Sequence, residues 1–158
     1  MNKVDKKLLD KSVEETQEHR AKVFSLMQQV CDNLMKRAVQ HDQSKLEEGE
    51  LEYFAQAKDL KGLTYGSDEY FTEIKSILGP ALKHHYENNR HHPEHHEKGF
   101  SDMSMIDKVE MLVDWKAATM RHADGDIKKS MEINQERYDY SDQEKEKMIQ
   151  FLKDINLW

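Results

Sequence analysis

The chain has few of the residues that break or cross-link a fold. Its 158 residues include one cysteine, two prolines and six glycines. A single cysteine excludes an intramolecular disulfide and indicates a reducing compartment. We interpret Cys31 as a small buried apolar residue rather than a catalytic thiol, because no histidine lies near it in the sequence.

Long apolar runs and an excess of basic charge are also missing. No run approaches the roughly 20 apolar residues of a membrane span, and the N-terminus is too polar for a signal peptide. The expected location is therefore the cytoplasm, or a host's cytoplasm if a phage encodes the protein. A net charge of −7 with no basic face argues against binding to duplex nucleic acid. Small anionic ligands remain compatible with this charge, because bound metal ions would invert the local field.

The remaining composition predicts helices. Charged residues are 35% of the chain and hydrophobic residues 37%, a balance typical of amphipathic helices with solvated outer faces. We predict one all-α domain over residues 1–158, a bundle of five to seven helices. From about Val13 to Val39, apolar residues recur every three or four positions.

Further helices are predicted from periodicity and end signals. Ser104 with Asp107, and Ser141 with Glu144, have the spacing of N-terminal caps. Pro93 disfavours helical geometry at His92. We expect Gly62–Gly66 to form a loop, Gly79 and Pro80 to kink their helix, and Trp115 and Met120 to be core residues. The expected helices are Glu47–Lys58, a helix capped by Ser67 that ends near His91, a helix capped by Ser104, Asp126–Arg137 and Ser141–Ile155.

The most informative residues are histidines and aspartates in a particular order. His19 is followed by the pair His41–Asp42 and, far downstream, by Asp114 between Val113 and Trp115. Imidazole and carboxylate are ligands for divalent transition metals. An unpaired carboxylate on the mostly apolar Asp114 helix would have a desolvation cost of about a few kcal/mol, which a metal would relieve. The pattern predicts a metal centre within a helical bundle.

A second concentration of histidines lies in HHYENNRHHPEHH, which holds six of the nine histidines. On a helix, His84, Asn88 and His91 share one face, and His85, Asn89 and His92 share the next. Either face can present two imidazoles with an amide between them. For His84, His95 and His96 taken singly, a solvated polar helix end is the favoured interpretation.

These residues resemble the metal-binding signature of the HD-domain phosphohydrolase superfamily, which is all-helical and mostly hydrolyses nucleotide phosphoesters. A closer resemblance is to small uncharacterised phage and bacterial proteins with three blocks, HDxSK, HxxxNxHHPEH and EMxxDW. Here these blocks are His41–Lys45, His85–His95 and Glu110–Trp115. The resemblance extends from about His19 to Arg137.

The resemblance implies roles for the matching residues. His19, His41, Asp42 and Asp114 would bind a first cation, and Asp42 would bridge to a second that involves His85, His91 or His92. The cofactor would be one or two divalent ions of Mn, Fe, Zn, Co or Ni. Lys45 stands where some nucleotidases have a glutamate, and it is similar to the lysine of cyclic-dinucleotide phosphodiesterases and di-iron oxygenases, where that residue contacts substrate.

Other polar residues complete the predicted site. Glu110, one turn before Asp114, is the candidate base or ligand-orienting group, with an exposed helix carboxylate as the alternative. Asn89, Asn134 and Arg137 are weaker candidates for substrate binding, and Arg137 suits a bidentate grip on phosphate.

The predicted function is metal-dependent hydrolysis of a nucleotide or related small phosphoester, with Lys45 binding the substrate anion. Two alternatives remain open: a di-iron oxygenase on the same scaffold, and a non-catalytic phage binding or inhibitor protein stabilised by the metal. The pattern leaves assembly into a homo-oligomer open.

Overall fold

The computed structural model describes residues 5–57, 68–121 and 125–158, apart from the side chains of Asp68, Tyr70, Phe71 and Ile74. Within these ranges all regular structure is helical, which confirms the predicted all-α class. The six α-helices of the described chain are α1 (Lys6–Gln40), α2 (Leu51–Ala57), α3 (Asp68–Asn88), α4 (Met105–Thr119), α5 (Ile127–Tyr138) and α6 (Asp142–Asp154). None of them has both the length and the apolar composition needed to cross a membrane.

The chain divides into two compact units, residues 1–39 and 40–158. The first unit consists of α1, which extends the helix predicted from Val13 toward the N-terminus. No residue of α1 is buried, and Cys31 is exposed, so the prediction that Cys31 is buried is wrong. A single helix has no second layer within its own unit against which its apolar face could pack.

The second unit has a core formed mainly by its C-terminal half. The buried side chains that contact one another there are Phe100, Met103, Met111, Leu112, Ile127, Met131, Tyr140, Met148 and Leu152. Trp115 packs partly buried against this cluster, as predicted. Met120 follows the end of α4 and is 75% exposed, so its predicted place in the core is wrong.

Several helix boundaries predicted from capping residues and from Pro93 agree with the structure. Ser104 with Asp107 begins α4, and Ser141 with Glu144 begins α6, each as a reciprocal capping box. Before Pro93, His92 is extended at φ −91 and ψ 131, and α3 ends at Asn88.

The Glu47–Lys58 prediction is only partly matched. A short 3-10 helix, Gln43–Leu46, precedes the shorter α2, because Gly49 at φ 96 breaks the helical path between them. Lys58, Gly62–Gly66 and Ser67 lie outside the described residues.

Candidate metal centre

The HDQSK segment turns sharply at its aspartate. Asp42 has φ 56 and ψ 19, the left-handed region, between the end of α1 and the 3-10 helix. This turn brings the two adjacent side chains together, with His41 Nε2 3.5 Å from Asp42 Oδ2. Because left-handed backbone is uncommon for a residue with a side chain, a positive φ within a predicted ligand pair is consistent with a functional constraint.

Four side chains of the second unit form a first ligand group, which we call the Asp42 group. Its members are Asp42, His85, His91 and His92. His85 Nε2 lies 3.3 Å from Asp42 Oδ1 and 3.0 Å from His92 Nε2. His91 Nε2 lies 3.5 Å from the same aspartate oxygen. The HHPEH segment and the end of α3 therefore bring three imidazoles to one carboxylate.

A second group, the Asp114 group, comprises His41, His91 and Asp114. His41 Nε2 lies 3.4 Å from Asp114 Oδ1, and the rings of His41 and His91 are 4.4 Å apart at their centroids. The sequence placed His41, Asp42 and Asp114 on one cation. The structure brings all three together but divides them between two groups that share His91.

Glu110 contacts histidines of both groups. Its Oε1 is 2.9 Å from His41 Nδ1 and 3.1 Å from His91 Nδ1. A carboxylate at Nδ1 keeps that nitrogen protonated and directs Nε2 outward. The structure thus places Glu110 within hydrogen-bonding distance of two candidate ligands, and its predicted role as base or ligand-orienting group stays a prediction.

One histidine of each group has a shifted pKa, and the two shifts are in opposite directions. Hydrogen bonds to Asp114 and Glu110 raise the pKa of His41 to about 10, although burial lowers it. Burial, together with the neighbouring His91 and His85, lowers the pKa of His92 to about 2. In the cation-free protein near neutral pH, His41 is consequently an imidazolium and His92 a neutral imidazole.

The aspartate of the Asp42 group is held as a carboxylate. Burial alone would raise the pKa of Asp42, but the Lys45 ammonium bound to Oδ2 and the adjacent charge of the His41 ring hold it well below its usual range. Lys45 Nζ donates to Oδ2 at 2.5 Å and lies 5.0 Å from the centroid of the Phe54 ring. The nearby His85 Nε2 is not in hydrogen-bonding geometry with Oδ1.

Two buried atoms of the Asp42 group lack a hydrogen-bond partner among the described residues, Asp42 Oδ1 and His91 Nε2. Asp42 Oδ1 is an acceptor because Asp42 is ionised, and His91 Nε2 is an acceptor in the neutral tautomer whose Nδ1–H donates to Glu110. Two buried acceptors 3.5 Å apart with no donor between them are unfavourable without a cation. The donor set of three imidazoles and a carboxylate also suits a divalent transition metal.

The remaining predicted residues lie in different surroundings. His19 is an exposed residue of the first unit and belongs to neither ligand group of the described chain. Asn89 is buried beside His85, and Asn134 donates to the Ser130 carbonyl at 3.0 Å. Arg137 donates to Glu94 at 2.6 Å. Their predicted roles in metal or substrate binding stay predictions.

Two residues near the site had no predicted role. Glu50 is fully buried, with 0% of its surface exposed, and it contacts His84, His85 and Ser44. Ser44 lies inside the HDxSK block, so its presence in that block was the available signal. The sequence around Glu50 contains no signal for its position in the site, because its partners on α3 are 34 and 35 residues away.

The chain belongs to a family of unknown function, DUF5662, whose match covers residues 9–156. No curated protein and no solved structure is similar enough to the chain to count as a match.

Proposed function

We propose that the protein is a metal-dependent phosphohydrolase related to the HD superfamily, acting on a nucleotide or similar small phosphoester. The observation that carries the proposal is the pair of buried acceptors, Asp42 Oδ1 and His91 Nε2, 3.5 Å apart and without a donor. The neighbouring Asp114 group supports a second cation position beside the first. Lys45 adds a positive side chain at the edge of the Asp42 group.

The two cation positions are unequal. A neutral imidazole nitrogen has one lone pair, and His91 Nδ1 already faces Glu110, so His91 can bind only one cation through Nε2. With His91 in the Asp42 group, that cation has four protein ligands, whereas His41 and Asp114 alone remain for the other. Sites with fewer protein ligands keep positions open for water or substrate. The weaker position is therefore where a phosphoester would be bound.

When bound, the cations would supply Lewis acidity toward water and the phosphoryl group. The chain's own residues do the positioning. Glu110 orients His41 and His91 through their Nδ1 atoms, and its carboxylate also suits a proton acceptor at this position. Lys45 would bind a phosphoryl oxygen of the substrate as a point charge.

The Lys45 contact in the structure is consistent with this role. Its ammonium binds Asp42 Oδ2, the oxygen that is not shared with His85 and His91. A cation at Oδ1 would draw charge from the carboxylate and repel the ammonium, which would favour transfer of Nζ to a substrate oxygen. Lys45 is 32% exposed in its side chain, so an incoming anion can reach it.

Lys45→Ala tests this assignment. We expect unchanged cation content, because Oδ1 remains in place, and a loss of about 2 to 3 kcal/mol in kcat/KM for phosphoesters from the missing charge-assisted contact. The measurement is hydrolysis of a panel of nucleotides and cyclic nucleotides by protein loaded with Mn²⁺ or Co²⁺.

Lys108→Ala is the matched control for this experiment. Lys108 also has a carboxylate partner, Glu144 at 3.4 Å, and also lies over an aromatic ring, Phe100, but neither of these partners belongs to a ligand group. Equal effects of the two substitutions on kcat/KM would contradict a substrate contact at Lys45. Cation binding without hydrolysis of any phosphoester, or O₂ uptake by iron-loaded protein in its place, would overturn the hydrolase assignment.

A further inference from the structure

Glu50 is a fully buried acid that the proposed reaction does not use. Its Oε1 lies 2.5 Å from His84 Nδ1, and its Oε2 lies 3.0 Å from His85 Nδ1. Ser44 donates its hydroxyl hydrogen to Oε2 at 3.1 Å. Because burying a carboxylate is costly unless it is hydrogen bonded, this set of contacts accounts for an acid at a position with 0% exposure.

Nδ1 of His85 faces Glu50 Oε2 at 3.0 Å, Ser44 Oγ at 3.2 Å and Asn89 Nδ2 at 3.0 Å, and the roles of these neighbours favour a proton on Nδ1. Asn89 Nδ2 has two hydrogens, and it donates to Ser44 Oγ and to the His85 carbonyl, both at 2.8 Å. Ser44 thus accepts from Asn89 and donates to Glu50. A carboxylate oxygen can only accept, so the tautomer that suits Glu50 Oε2 is Nδ1–H, with the His85 Nε2 lone pair facing the Asp42 group.

We propose that Glu50 is a positioning residue of the cation site: it fixes the Nδ1–H tautomer of His85 and directs its Nε2 lone pair to the cation. His84, whose side chain is 52% exposed, is the outer partner of Glu50 and belongs to neither ligand group of the described residues. The inference rests on the cation site of the proposed function and is independent of the reaction catalysed there.

The same arrangement occurs on the other side of the site. Glu110 contacts Nδ1 of His41 and of His91, as Glu50 contacts Nδ1 of His84 and of His85. Each carboxylate thus engages a pair of histidines through their Nδ1 atoms. Glu50 differs in that one of its two histidines is outside the ligand groups, so it links the buried ligand His85 to the protein surface.

The test compares Glu50→Gln with wild type in two measurements. The first is ¹⁵N NMR of the histidine rings in the cation-free protein, which distinguishes the two tautomers. We expect Nδ1–H at His85 in wild type and a mixture of tautomers in the variant, because the glutamine amide can present either a donor or an acceptor. The second is titration with Co²⁺ alone, in which the variant should bind about 10–100-fold more weakly.

Glu94→Gln is the matched control. Glu94 is also a hydrogen-bonded carboxylate, but its partners are Arg137 and Tyr138. It should leave both the His85 tautomer and the Co²⁺ affinity unchanged. If Glu50→Gln fails to fold, Ser44→Ala and His84→Ala replace it, each removing one partner of Glu50 and each expected to shift the same two measurements in the same direction.

The outcomes separate this inference from the proposed function. A wild-type His85 tautomer in the folded variants would overturn the role of Glu50, whatever the affinity for Co²⁺. Wild-type protein that binds no Co²⁺ would overturn the proposed function, and the tautomer measurement would still decide whether Glu50 positions His85.

Discussion

At the scale of single residues, His91 has the central place in the candidate site. It is the member common to both ligand groups, and its ring is 2% exposed with Nδ1 directed to Glu110. One lone pair cannot satisfy two cations, so two bound cations would have unequal sets of protein ligands.

Two substitutions test whether the two cation positions have different affinities. His92→Ala should weaken the tighter phase of a Co²⁺ titration, since His92 belongs only to the Asp42 group. Asp114→Ala should abolish the weaker phase and leave the tighter one, because Asp114 belongs only to the other group. Isothermal titration calorimetry with elemental analysis would measure both phases. Loss of all cation binding in Asp114→Ala would instead support the single shared site that the sequence order of His41, Asp42 and Asp114 indicated.

At the scale of helices, α4 brings the Glu110 and Asp114 carboxylates to the site, and its N-terminus is capped by Ser104. The Ser104 hydroxyl donates to Asp107 Oδ2 at 2.6 Å and accepts from the Asp107 amide at 3.2 Å. Asp107 is fully buried and also contacts Arg90 at 3.3 Å. The α6 box, Ser141 with Glu144, has the same pattern in exposed surroundings.

Comparison of Ser104→Ala with Ser141→Ala tests how burial of the partner carboxylate affects the contribution of a capping serine, since Asp107 is buried and Glu144 is not. Loss of the Ser141 cap should lower the free energy of unfolding by about 1 kcal/mol. Loss of the Ser104 cap should cost about 2 to 3 kcal/mol, because the buried carboxylate of Asp107 then loses the Ser104 hydroxyl. Urea denaturation measures both values. Equal costs would mean that burial does not increase the contribution of the cap.

Element boundaries also show how far local signals extend. The caps of α4 and α6 were predictable because each capping box joins residues three positions apart. The single helix predicted over Glu47–Lys58 was not obtained, because the left-handed conformation of Gly49 interrupts the path before α2. Local periodicity does not distinguish a continuous helix from two segments joined by a turn.

At the scale of the molecule, the core of the second unit contains a buried tyrosine, Tyr140. Tyr140 is 3% exposed and donates to the Met131 carbonyl at 2.5 Å. Burial raises the pKa of Tyr140 well above its usual range, and burial with the neighbouring Glu94 does the same for Tyr138.

The sign of the resulting pH dependence follows from this raised pKa. The unfolded state loses the tyrosine proton near pH 10, whereas the folded state retains it. The stabilisation is therefore complete below about pH 10 and decreases as the pH rises toward the folded-state pKa. Each such tyrosine contributes a slope of up to about 1.4 kcal/mol per pH unit.

Tyr140→Phe tests this contribution. The variant should be less stable at neutral pH, by about 1 to 3 kcal/mol, since the Met131 carbonyl loses its donor. Its free energy of unfolding should fall less steeply between pH 10 and 11 than that of wild type. Urea denaturation at several pH values gives both quantities. If the free energy of unfolding falls equally steeply with pH in the two proteins, burial of the Tyr140 hydroxyl is not the cause of the pH dependence.

The sequence by itself determined the helical class, the caps of α4 and α6, and the kinds of ligand at the candidate site. Each of these depends on residue chemistry or on neighbours within one helical turn. His41, Asp42, His85, His91, His92 and Asp114 were all selected in this way, from residue type and order.

Only the tertiary structure decided which of these side chains meet and through which atoms. His41 contacts Glu110 across 69 positions, and His85 contacts Glu50 across 35, distances over which helical periodicity contains no information on side-chain direction. Arg137 is likewise paired with Glu94, 43 positions away. The division into two ligand groups and the position of Glu50 depend on how α2, α3 and α4 pack, because packing sets the nitrogen that each imidazole presents.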